Sequence, residues 1–427
     1  MCLCQTLREL KMQNKTVDSY FTYPDRRPPR SKDNGETDEI LGKNISLPYV
    51  HTADVCGAKI QLRTNSKHVS RWWQLNWHLC NSKPDGIAYV INGLEGYEPH
   101  LFYDVEKRRV LIVNSEYYGA AKSNGALGLA SIILREAKKY PLHAASVGLE
   151  EKGKILCVAI IAPTGTGKTT QFHELLYNVR SSKVIGDDYL FARFDEDKKE
   201  VIAEQPEKQL YMRTEIAERH PTFIKSFDGL PLENVVIKKE ECKQKSENVQ
   251  KMGPCYRLVY EGRRSCIFDM GSGRCYWSYG NSRAMFPRER FTMLVADEKG
   301  DVYEVFKGEK GVANNAVLKY VLLLTRDEDS PIIKRIECEE ALEILREGKF
   351  QIAPGSGPPG KWGQYGYEPF YDPYQLEMDK NLEEQFFRKL FDYNVLFYLL
   401  NTGYHHGRKI EVHQTHAYIR AALRLNF

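Results

Sequence analysis

The chain has 427 residues, enough for two or three domains with a sizeable core, and 61 basic against 57 acidic side chains leave a formal net charge of +4. No basic run is dense enough to indicate nucleic-acid binding, no apolar stretch reaches the ~18 residues of a membrane-spanning helix, and the N-terminus lacks the apolar core of a secretory signal. The ten cysteines form no CxxC pair, which argues against a zinc site of that type and favours a reduced, cytoplasmic protein.

The N-terminal part of the chain changes character near residue 47. Residues 1–46 are polar and rich in turn-forming residues, which predicts a flexible arm. Residues 47–140 have a globular composition and are predicted to form a smaller N-terminal α/β domain. Its predicted elements are strands at Ile87–Ile91 and Val110–Val113 and a helix from Leu127 to Lys138. Three closely spaced tryptophans are assigned to its core: Trp72, Trp73 and Trp77.

A glycine-rich loop follows a buried strand in the middle of the chain. Ile155–Ile161 is an unbroken apolar run, typical of a strand covered on both faces. The segment APTGTGKT, residues 162–169, comes next, and apolar side chains then recur at helical spacing at Phe172, Leu175, Leu176 and Val179. Strand, glycine loop and helix are the context in which this pattern indicates a phosphate-binding loop of the Walker A type. Ala162 replaces the usual first glycine, a substitution that the turn can tolerate.

The residue types of this loop match the chemistry of nucleotide binding. Gly165 and Gly167 would let backbone N–H groups close around phosphate oxygens, and the new helix would direct its positive end to the same place. Lys168 would reach the β and γ phosphates of ATP, and the Thr169 hydroxyl would bind the nucleotide's Mg²⁺. The predicted nucleotide-binding residues of the loop are Thr164, Gly165, Thr166, Gly167, Lys168, Thr169 and Thr170.

An acid pair follows the next predicted strand. Lys183–Ile185 is followed by Gly186 and then by Asp187 and Asp188. Two carboxylates at the end of a strand, shortly after a phosphate-binding loop, suit metal binding and proton removal. The structural alternative is a glycine turn beside a capped helix, with a solvated acid pair. The occurrence of loop and acid pair together favours the functional interpretation.

The remainder of the chain is predicted to be rich in strands. The predicted strands are Leu210–Ile216, Glu233–Ile237, Tyr256–Tyr260, Phe291–Ala296 and Val395–Leu400, and the predicted helices are 312–325, 379–393 and Ala417–Leu425. The lysine-rich stretch Lys238–Lys251 is interpreted as a solvated insertion. The Pro- and Gly-rich segment 353–363 must be a loop, and it could be either an active-site lid or an inert surface loop.

Several short blocks occur in the order and spacing found in one enzyme family, ATP-dependent phosphoenolpyruvate carboxykinase. The blocks are Lys83–Gly86 with Ile91–Gly93, Tyr118–Lys122, His143–Ser146 with Glu151–Gly153, the phosphate loop, Gly186–Asp188, Tyr211–Ile216, Leu232–Val235, Asn281–Arg283 with Pro287, Asn401–Tyr404, Gly407–Ile410 and Thr415–Ala417. The chain therefore resembles a short and divergent member of this family. The wider superfamily includes HPr-kinase-like proteins, which share the loop and the acid pair but not the C-terminal blocks.

The resemblance implies a mixed-sheet α/β fold of the α+β kind. It implies a carboxykinase-like nucleotide- and metal-binding domain over residues 141–427, beside the smaller N-terminal domain. It also implies that His143, Lys122 and one residue of the acid pair bind Mn²⁺ next to the substrate, with the lysine neutral, and that Arg283 bridges the γ-phosphate and the substrate. The structural alternatives are that His143 is a core histidine and that Lys122 is a surface lysine. For Arg283 the alternative is a structural ion pair with an acid such as Asp269.

The chain also departs from the family pattern. Tyr189-Leu-Phe191 stands where the family has an acid and a histidine, and the 353–363 loop contains no arginine. The chain is shorter than typical members, mostly before His143. That region carries the family's arginine for the substrate carboxylates, and Arg30–Asp33 resembles this block only weakly.

The function predicted from these patterns is metal-dependent phosphoryl transfer from ATP. The first candidate is an enzyme that converts oxaloacetate and ATP to phosphoenolpyruvate, ADP and CO₂, with Mg²⁺ and Mn²⁺ as cofactors. The alternatives are a kinase that phosphorylates a hydroxyl of a small molecule or protein, with Asp187 or Asp188 as base, and a non-catalytic nucleotide-binding regulator. We expect a small-molecule substrate, no nucleic-acid or membrane partner, and a monomer or small homo-oligomer.

Overall fold

The computed structural model describes residues 19–20, 22–24, 26–163, 165–179, 181–214, 229–238, 255–259, 262–269, 274–291, 311–352, 359–361 and 363–424. The strands are β1 (Ser19–Tyr20), β2 (Arg30–Lys32), β3 (Tyr49–Val55), β4 (Ala58–Thr64), β5 (His78–Cys80), β6 (Gly86–Ile91), β7 (His100–Asp104), β8 (Arg109–Val113), β9 (Lys139–Leu142), β10 (Ala144–Glu151), β11 (Lys154–Ile161), β12 (Ser182–Gly186), β13 (Leu190–Asp195), β14 (Glu200–Glu204), β15 (Gln209–Arg213), β16 (Leu232–Lys238), β17 (Cys255–Val259), β18 (Gly262–Asp269), β19 (Arg274–Pro287), β20 (Asn315–Thr325), β21 (Ile333–Ile336), β22 (Lys349–Gln351), β23 (Tyr365–Tyr367), β24 (Leu396–Asn401), β25 (Tyr404–His405) and β26 (Arg408–Lys409).

The α-helices are α1 (Glu36–Leu41), α2 (Lys67–Asn76), α3 (Tyr118–Ala120), α4 (Leu129–Glu136), α5 (Lys168–Asn178), α6 (Arg288–Phe291), α7 (Cys338–Glu347), α8 (Lys380–Asp392) and α9 (Val412–Ala422). A π-helix, Ala121–Gly128, lies between α3 and α4, and short 3₁₀ helices span Pro359–Lys361 and Pro369–Tyr371. No helix in the described ranges is both long enough and apolar enough to cross a lipid bilayer.

The chain forms two compact units. The first contains residues 1–130 and 207–304, and the second contains residues 131–206 and 305–427. The sequence predicts boundaries at residues 46 and 140 instead, with residues 207–304 in the C-terminal domain. The general prediction of a mixed α/β protein is confirmed, since both units contain mixed sheets with few helices.

The first unit contains two sheets. One has seven strands in the order β2-β7-β8-β6-β4-β3-β5, and the other has the order β1-β16-β19-β18-β17, with β15 also paired to β19. The predicted strands at 87–91 and 110–113 are β6 and β8, which pair in parallel, and the three tryptophans are core residues as predicted. The predicted helix at 127–138 begins earlier, as the π-helix, and its α-helical part ends at Glu136.

Residues 26–46, predicted to be a flexible arm, contain a strand and a helix in the structure. The strand Arg30–Lys32 pairs in parallel with β7, and the short helix α1 follows it. Ile40 has no exposed surface and packs in an apolar cluster with Tyr89, Ile91 and Leu111. Ile40, Leu41 and Ile45 all pack on this cluster, but three apolar side chains in a polar stretch are too weak a periodic signal to predict the docking. Residues 1–18 lie outside the described part of the chain.

The second unit is built on a nine-stranded mixed sheet. Its order is β12-β10-β11-β20-β14-β13-β9, with β24 paired to β20 and β21 paired to β24. The central strands β11 and β20 are parallel, and Ala159, Ile160 and Val321 on them have no exposed surface. Helices α7 and α8 carry side chains of the same core, including Leu342 and Phe387.

The predicted helix at 312–325 is wrong, because residues 315–325 form strand β20. Its apolar residues form a nearly continuous run, Val321–Leu324, and a run of that kind does not distinguish a buried helix from a strand covered on both faces. The segment forms a strand because it pairs with other strands: β11 and β24 run parallel to β20, and β14 runs antiparallel to it.

The other predicted elements of this half are found within a few residues. The strand at 155–161 is β11, the strand at 183–185 is β12, the helix at 379–393 is α8, and the strand at 395–400 is β24. The C-terminal helix starts at Val412, five residues before its predicted start. Residues 239–251, 292–296, 353–358 and 362, on which three further predictions fall, lie outside the described part of the chain; Phe291 itself ends helix α6.

Candidate functional site

The phosphate-binding pattern of the second unit lies between a buried strand and a helix, as the sequence predicted. Strand β11 ends at Ile161 and helix α5 begins at Lys168. Gly165 and Gly167 have φ values of 88° and 104°, a region in which a side chain carries a steric cost, so glycine lets the loop turn at both positions. A turn of this kind before a helix N-terminus is a favourable backbone environment for phosphate.

Lys168 contacts two of the other predicted site residues. Its Nζ lies 2.8 Å from His143 Nε2 and 3.6 Å from Asp188 Oδ1, and the last two atoms are 3.3 Å apart. The side chains are mostly buried, with exposed fractions of 13% for Lys168, 5% for His143 and 19% for Asp188. Three residues that come from separate sequence blocks therefore form one cluster, in which the ammonium group, the imidazole nitrogen and the carboxylate oxygen lie at the corners of a triangle.

The partners of His143 determine its tautomer. Nδ1 lies 2.6 Å from the carbonyl oxygen of Tyr371, which can only accept a hydrogen bond, so Nδ1 carries a proton. Nε2 faces the Lys168 ammonium, which can only donate, so Nε2 presents its lone pair. With these two partners, Nδ1 is the donor nitrogen and the Nε2 lone pair is directed at Lys168. The alternative of a core histidine with one hydrogen bond does not describe these contacts.

A segment that the sequence did not single out, residues 368–375, completes the cluster. It provides the Tyr371 carbonyl for His143, and the Tyr374 hydroxyl donates to Asp188 Oδ2 at 2.7 Å. Asp372 Oδ2 accepts from the Tyr189 hydroxyl at 2.8 Å. Burial, followed by the charge of Asp372, raises the pKa of Tyr189 well above its usual value, so this hydroxyl keeps its proton. Tyr189, which departs from the family pattern, is therefore a structural donor here.

The backbone of the same segment is strained. Phe370 and Tyr371 both have positive φ values, 58° and 53°, although neither is glycine. Each such residue costs about 1–3 kcal/mol unless the surroundings hold it in place. Both side chains are 3% exposed, and the Phe370 ring stacks on Phe387 of α8 with centroids 5.8 Å apart. Core packing therefore holds the strained backbone that presents a carbonyl to His143.

The threonines of the loop have different environments. Thr166 is buried, its hydroxyl donates to the Pro163 carbonyl at 2.7 Å, and its own carbonyl accepts from Thr402 at 2.6 Å. Thr402 belongs to the C-terminal block Asn401–Tyr404, which therefore supports the loop. Thr169 is exposed and Thr170 is half-buried, positions that suit a Mg²⁺ ligand and a phosphate contact. Thr164 lies outside the described residues.

The acid pair leaves strand β12 directly after Gly186, which lies close to the side chain of Gln205. A Cβ atom on Gly186 would lie 2.4 Å from the side-chain amide of Gln205, so no larger residue fits there without a shift. Asp187 and Asp188 follow, both half-buried, and Asp188 belongs to the cluster with Lys168 and His143.

The first unit holds the remaining predicted residues. Lys122 lies in the π-helix, an element that often marks functional positions, and is 1% exposed. Its Nζ lies 3.2 Å from Glu207 Oε2, and Asn76 donates to the other carboxylate oxygen at 2.8 Å. Burial, followed by the charge of Glu207, raises the pKa of the neighbouring Tyr118 well above its usual value. The ion pair with Glu207 favours a charged Lys122, which has no lone pair for a metal, so the lysine does not fit the expected role as a neutral ligand.

Arg283 lies on β19, opposite Arg213 of β15 and Glu233 of β16. Its guanidinium carbon is 5.3 Å from the centre of the Tyr211 ring. The Tyr211 hydroxyl donates to Glu233, whose other oxygen accepts from the backbone N–H of Tyr118 at 2.9 Å. A planar cation over an aromatic face is held in orientation, which suits a group that binds phosphoryl or carboxylate oxygens.

The predicted metal ligands fit only in part. His143 Nε2 and Asp188 Oδ1 are suitable donors for Mn²⁺, since the Tyr371 carbonyl fixes the tautomer and Tyr374 orients the carboxylate. Lys122 does not fit. Across the described ranges, no three or more His, Cys, Asp or Glu side chains are arranged to hold a metal ion. The protein would supply two such ligands, and substrate or water would have to supply the others.

Comparison with known proteins gives no family assignment: no protein-family model matches the chain, and no curated protein is significantly similar to it.

Proposed function

We propose that the chain transfers the γ-phosphoryl group of ATP to a small-molecule acceptor. The observation that carries the proposal is the contact of Lys168, at the start of the phosphate-loop helix, with His143 and Asp188. A lysine, a carboxylate and an acceptor imidazole beside a glycine loop can bind phosphate oxygens and stabilise charge that moves during transfer. The first-candidate acceptor is the enolate formed from oxaloacetate, in a carboxykinase-like nucleotide-binding domain.

The residues of the second unit have distinct roles in this proposal. Lys168 would donate to the β and γ phosphates, the loop N–H groups would hold the polyphosphate, and the Tyr374 hydroxyl orients Asp188. Mg²⁺ at Thr169 and Mn²⁺ at His143 and Asp188 would supply charge neutralisation and Lewis-acid stabilisation of the enolate. The family resemblance assigns Arg283, which lies over the Tyr211 ring in the first unit, to the binding of phosphoryl oxygens and of the acceptor.

A hydroxyl kinase is the second candidate, and one observation favours it. Lys122 is paired with Glu207, an arrangement that does not favour the neutral lysine ligand that the carboxykinase resemblance implies. A kinase can use Mg²⁺ with the nucleotide and needs only a base near the acceptor. Asp188 can take that role, because Tyr374 fixes its Oδ2 and leaves Oδ1 directed to the cluster around Lys168.

The two candidates differ in whether CO₂ takes part. We would measure exchange of radiolabelled bicarbonate into oxaloacetate with phosphoenolpyruvate, ADP and Mn²⁺, beside ATP turnover with a panel of hydroxyl acceptors. Arg283→Lys keeps the charge but loses the planar fork, so we expect a drop in exchange of at least about 10²-fold. Arg346→Lys is the matched control, because Arg346 forms an exposed pair with Glu384 at 2.7 Å.

The outcomes separate the functions. Exchange in the wild type that is lost in Arg283→Lys and kept in Arg346→Lys supports the carboxykinase. ATP turnover without exchange under any metal condition contradicts the carboxykinase and leaves the kinase. Nucleotide binding with neither activity contradicts catalysis and leaves a regulator.

A further inference from the structure

The acceptor nitrogen of His143 has a single lone pair, and Lys168 uses it. Nδ1 carries the proton donated to the Tyr371 carbonyl, and Nε2 accepts from Lys168 at 2.8 Å. A nitrogen with one lone pair cannot accept this hydrogen bond and ligate a metal ion at the same time. The imidazole therefore has two mutually exclusive partners, the ammonium group and a cation from solution.

Asp188 leads to the same conclusion. Its Oδ2 accepts from Tyr374, and its Oδ1 lies 3.6 Å from Lys168 and 3.3 Å from His143 Nε2. An ion bound by Nε2 and Oδ1 together would lie where the ammonium group lies. Two cations held this close in a mostly buried cluster repel each other strongly, because water screens them little.

We propose that Lys168 competes with a divalent cation for His143 and Asp188, so that a phosphate group that draws Lys168 away opens the cation site. This inference rests on the proposed function in one respect, namely that a nucleoside triphosphate supplies the phosphate. Phosphate oxygens are strong partners for an ammonium group, and binding them turns Lys168 from a competitor into a phosphate ligand. The nucleotide and the cation then bind cooperatively, and each tightens the other by the same factor.

The first test removes the competitor. Mn²⁺ binding to the full chain is measured from the electron paramagnetic resonance of free Mn²⁺, without nucleotide. Lys168→Met should bind Mn²⁺ at least about tenfold more tightly than the wild type. Lys154→Met is the matched control, because Lys154 is 62% exposed and pairs with Glu200, and it should keep the wild-type affinity. Adding His143→Ala to Lys168→Met should abolish the gain. A Lys168→Met protein that binds no tighter, or a gain that survives in the double variant, overturns the proposal.

The second test uses the wild-type protein. Mn²⁺ is titrated with and without an exchange-inert cobalt(III)–ammine complex of ATP, whose binding is measured separately by calorimetry. We expect the complex to tighten Mn²⁺ binding at least about tenfold in the wild type and not in Lys168→Met. If the complex binds and the Mn²⁺ affinity of the wild type does not change, the coupling is overturned while the proposed function stands. If the complex does not bind and Lys168→Met still gains Mn²⁺ affinity, the competition stands and the proposed function fails.

Discussion

The contacts of Lys168 predict a side chain that the proposed chemistry needs and that contributes little to folding. Its partners His143 and Asp188 are held independently, by the Tyr371 carbonyl and the Tyr374 hydroxyl. Removal of the ammonium therefore leaves both groups hydrogen-bonded. In the proposed reaction its charge would stabilise moving phosphoryl charge strongly, because the cluster is largely shielded from water.

We therefore expect Lys168→Ala to lower kcat by at least about 10²–10³-fold, while the free energy of unfolding changes by less than about 1 kcal/mol. Steady-state ATP turnover and urea unfolding measure the two quantities. Lys154→Ala, an exposed lysine, is the control for a general effect of charge removal. Near-normal kcat in Lys168→Ala would remove the phosphate-loop interpretation.

No sequence motif indicates a role for Tyr374. Its hydroxyl donates to the Asp188 carboxylate at 2.7 Å, and hydrogen bonds to charged groups contribute about 1.5–3 kcal/mol. Tyr374→Phe keeps the ring that packs 5.0 Å from His143 but loses this bond. We expect thermal unfolding to show a loss of about 1.5 kcal/mol, and kcat to fall because Asp188 is no longer fixed.

Tyr371→Phe is the control for Tyr374→Phe, because it also removes one tyrosine hydroxyl from the same segment. The Tyr371 hydroxyl donates to the neutral Lys349 carbonyl at 3.2 Å, and Tyr371→Phe leaves the backbone carbonyl that binds His143 unchanged. Tyr371→Phe should therefore cost less than about 1 kcal/mol and leave kcat near the wild-type value. Equal effects of the two variants would show that the Tyr374 hydroxyl has no special role in holding Asp188.

At the scale of elements, the sequence predicts what depends on local pattern and fails where distant strands decide. The strand, loop and helix at 154–178 were identified because a buried run, two glycines and a helical repeat are adjacent in the chain. For β20 the sequence predicts a helix, because the apolar run has no period and the partner strands lie far away in sequence. Segment 368–375 carries no motif, and its role comes from contacts to residues more than 180 positions away.

Gly348 fixes the start of that segment. It ends helix α7 with φ 56°, and a Cβ atom there would lie 2.0 Å from the carbonyl oxygen of Glu368. Gly348→Ala combines left-handed strain with a clash against backbone, so we expect a loss of about 3 kcal/mol in urea unfolding, together with weaker activity as segment 368–375 moves. Gly153→Ala, at φ 78° with open space around it, should cost only about 1 kcal/mol. Similar losses in the two variants would contradict the steric argument.

At the scale of the whole molecule, the chain passes between its two compact units at 130/131, 206/207 and 304/305. Composition changes along a sequence indicate contiguous domains, and they carry no signal for a unit assembled from two separated segments. Composition therefore does not predict that Lys122 and Arg283, 161 positions apart in the sequence, belong to the same unit. His143, Lys168 and Asp188 belong to the other unit. Pairing of β15 and β16 with β19 is the non-local feature that composition could not reveal.

The free energy of unfolding at acid pH depends on the whole chain, and the contribution of one residue, His416, can be predicted. His416 on α9 is 3% exposed, and burial, followed by the charge of Arg420, lowers its pKa from 6.5 to about 4. Between these values the unfolded chain binds a proton at this histidine and the folded chain does not. The unfolded state is therefore favoured as the pH falls, and the contribution of His416 to stability is full above about pH 6.5 and is lost progressively toward about pH 4.

We expect His416→Gln to weaken this loss, because glutamine does not titrate. Other buried groups also change the profile, since burial raises the pKa of Glu383, so the informative quantity is the difference between two proteins. Urea unfolding between about pH 7.5 and pH 5 should show the wild type losing stability relative to His416→Gln as the pH falls. His413→Gln is the matched control, because His413 lies on the exposed face of the same helix and should leave the wild-type slope unchanged. Parallel pH profiles for the wild type and His416→Gln would show that His416 is protonated equally in the folded and unfolded states, which would contradict its burial as a neutral imidazole.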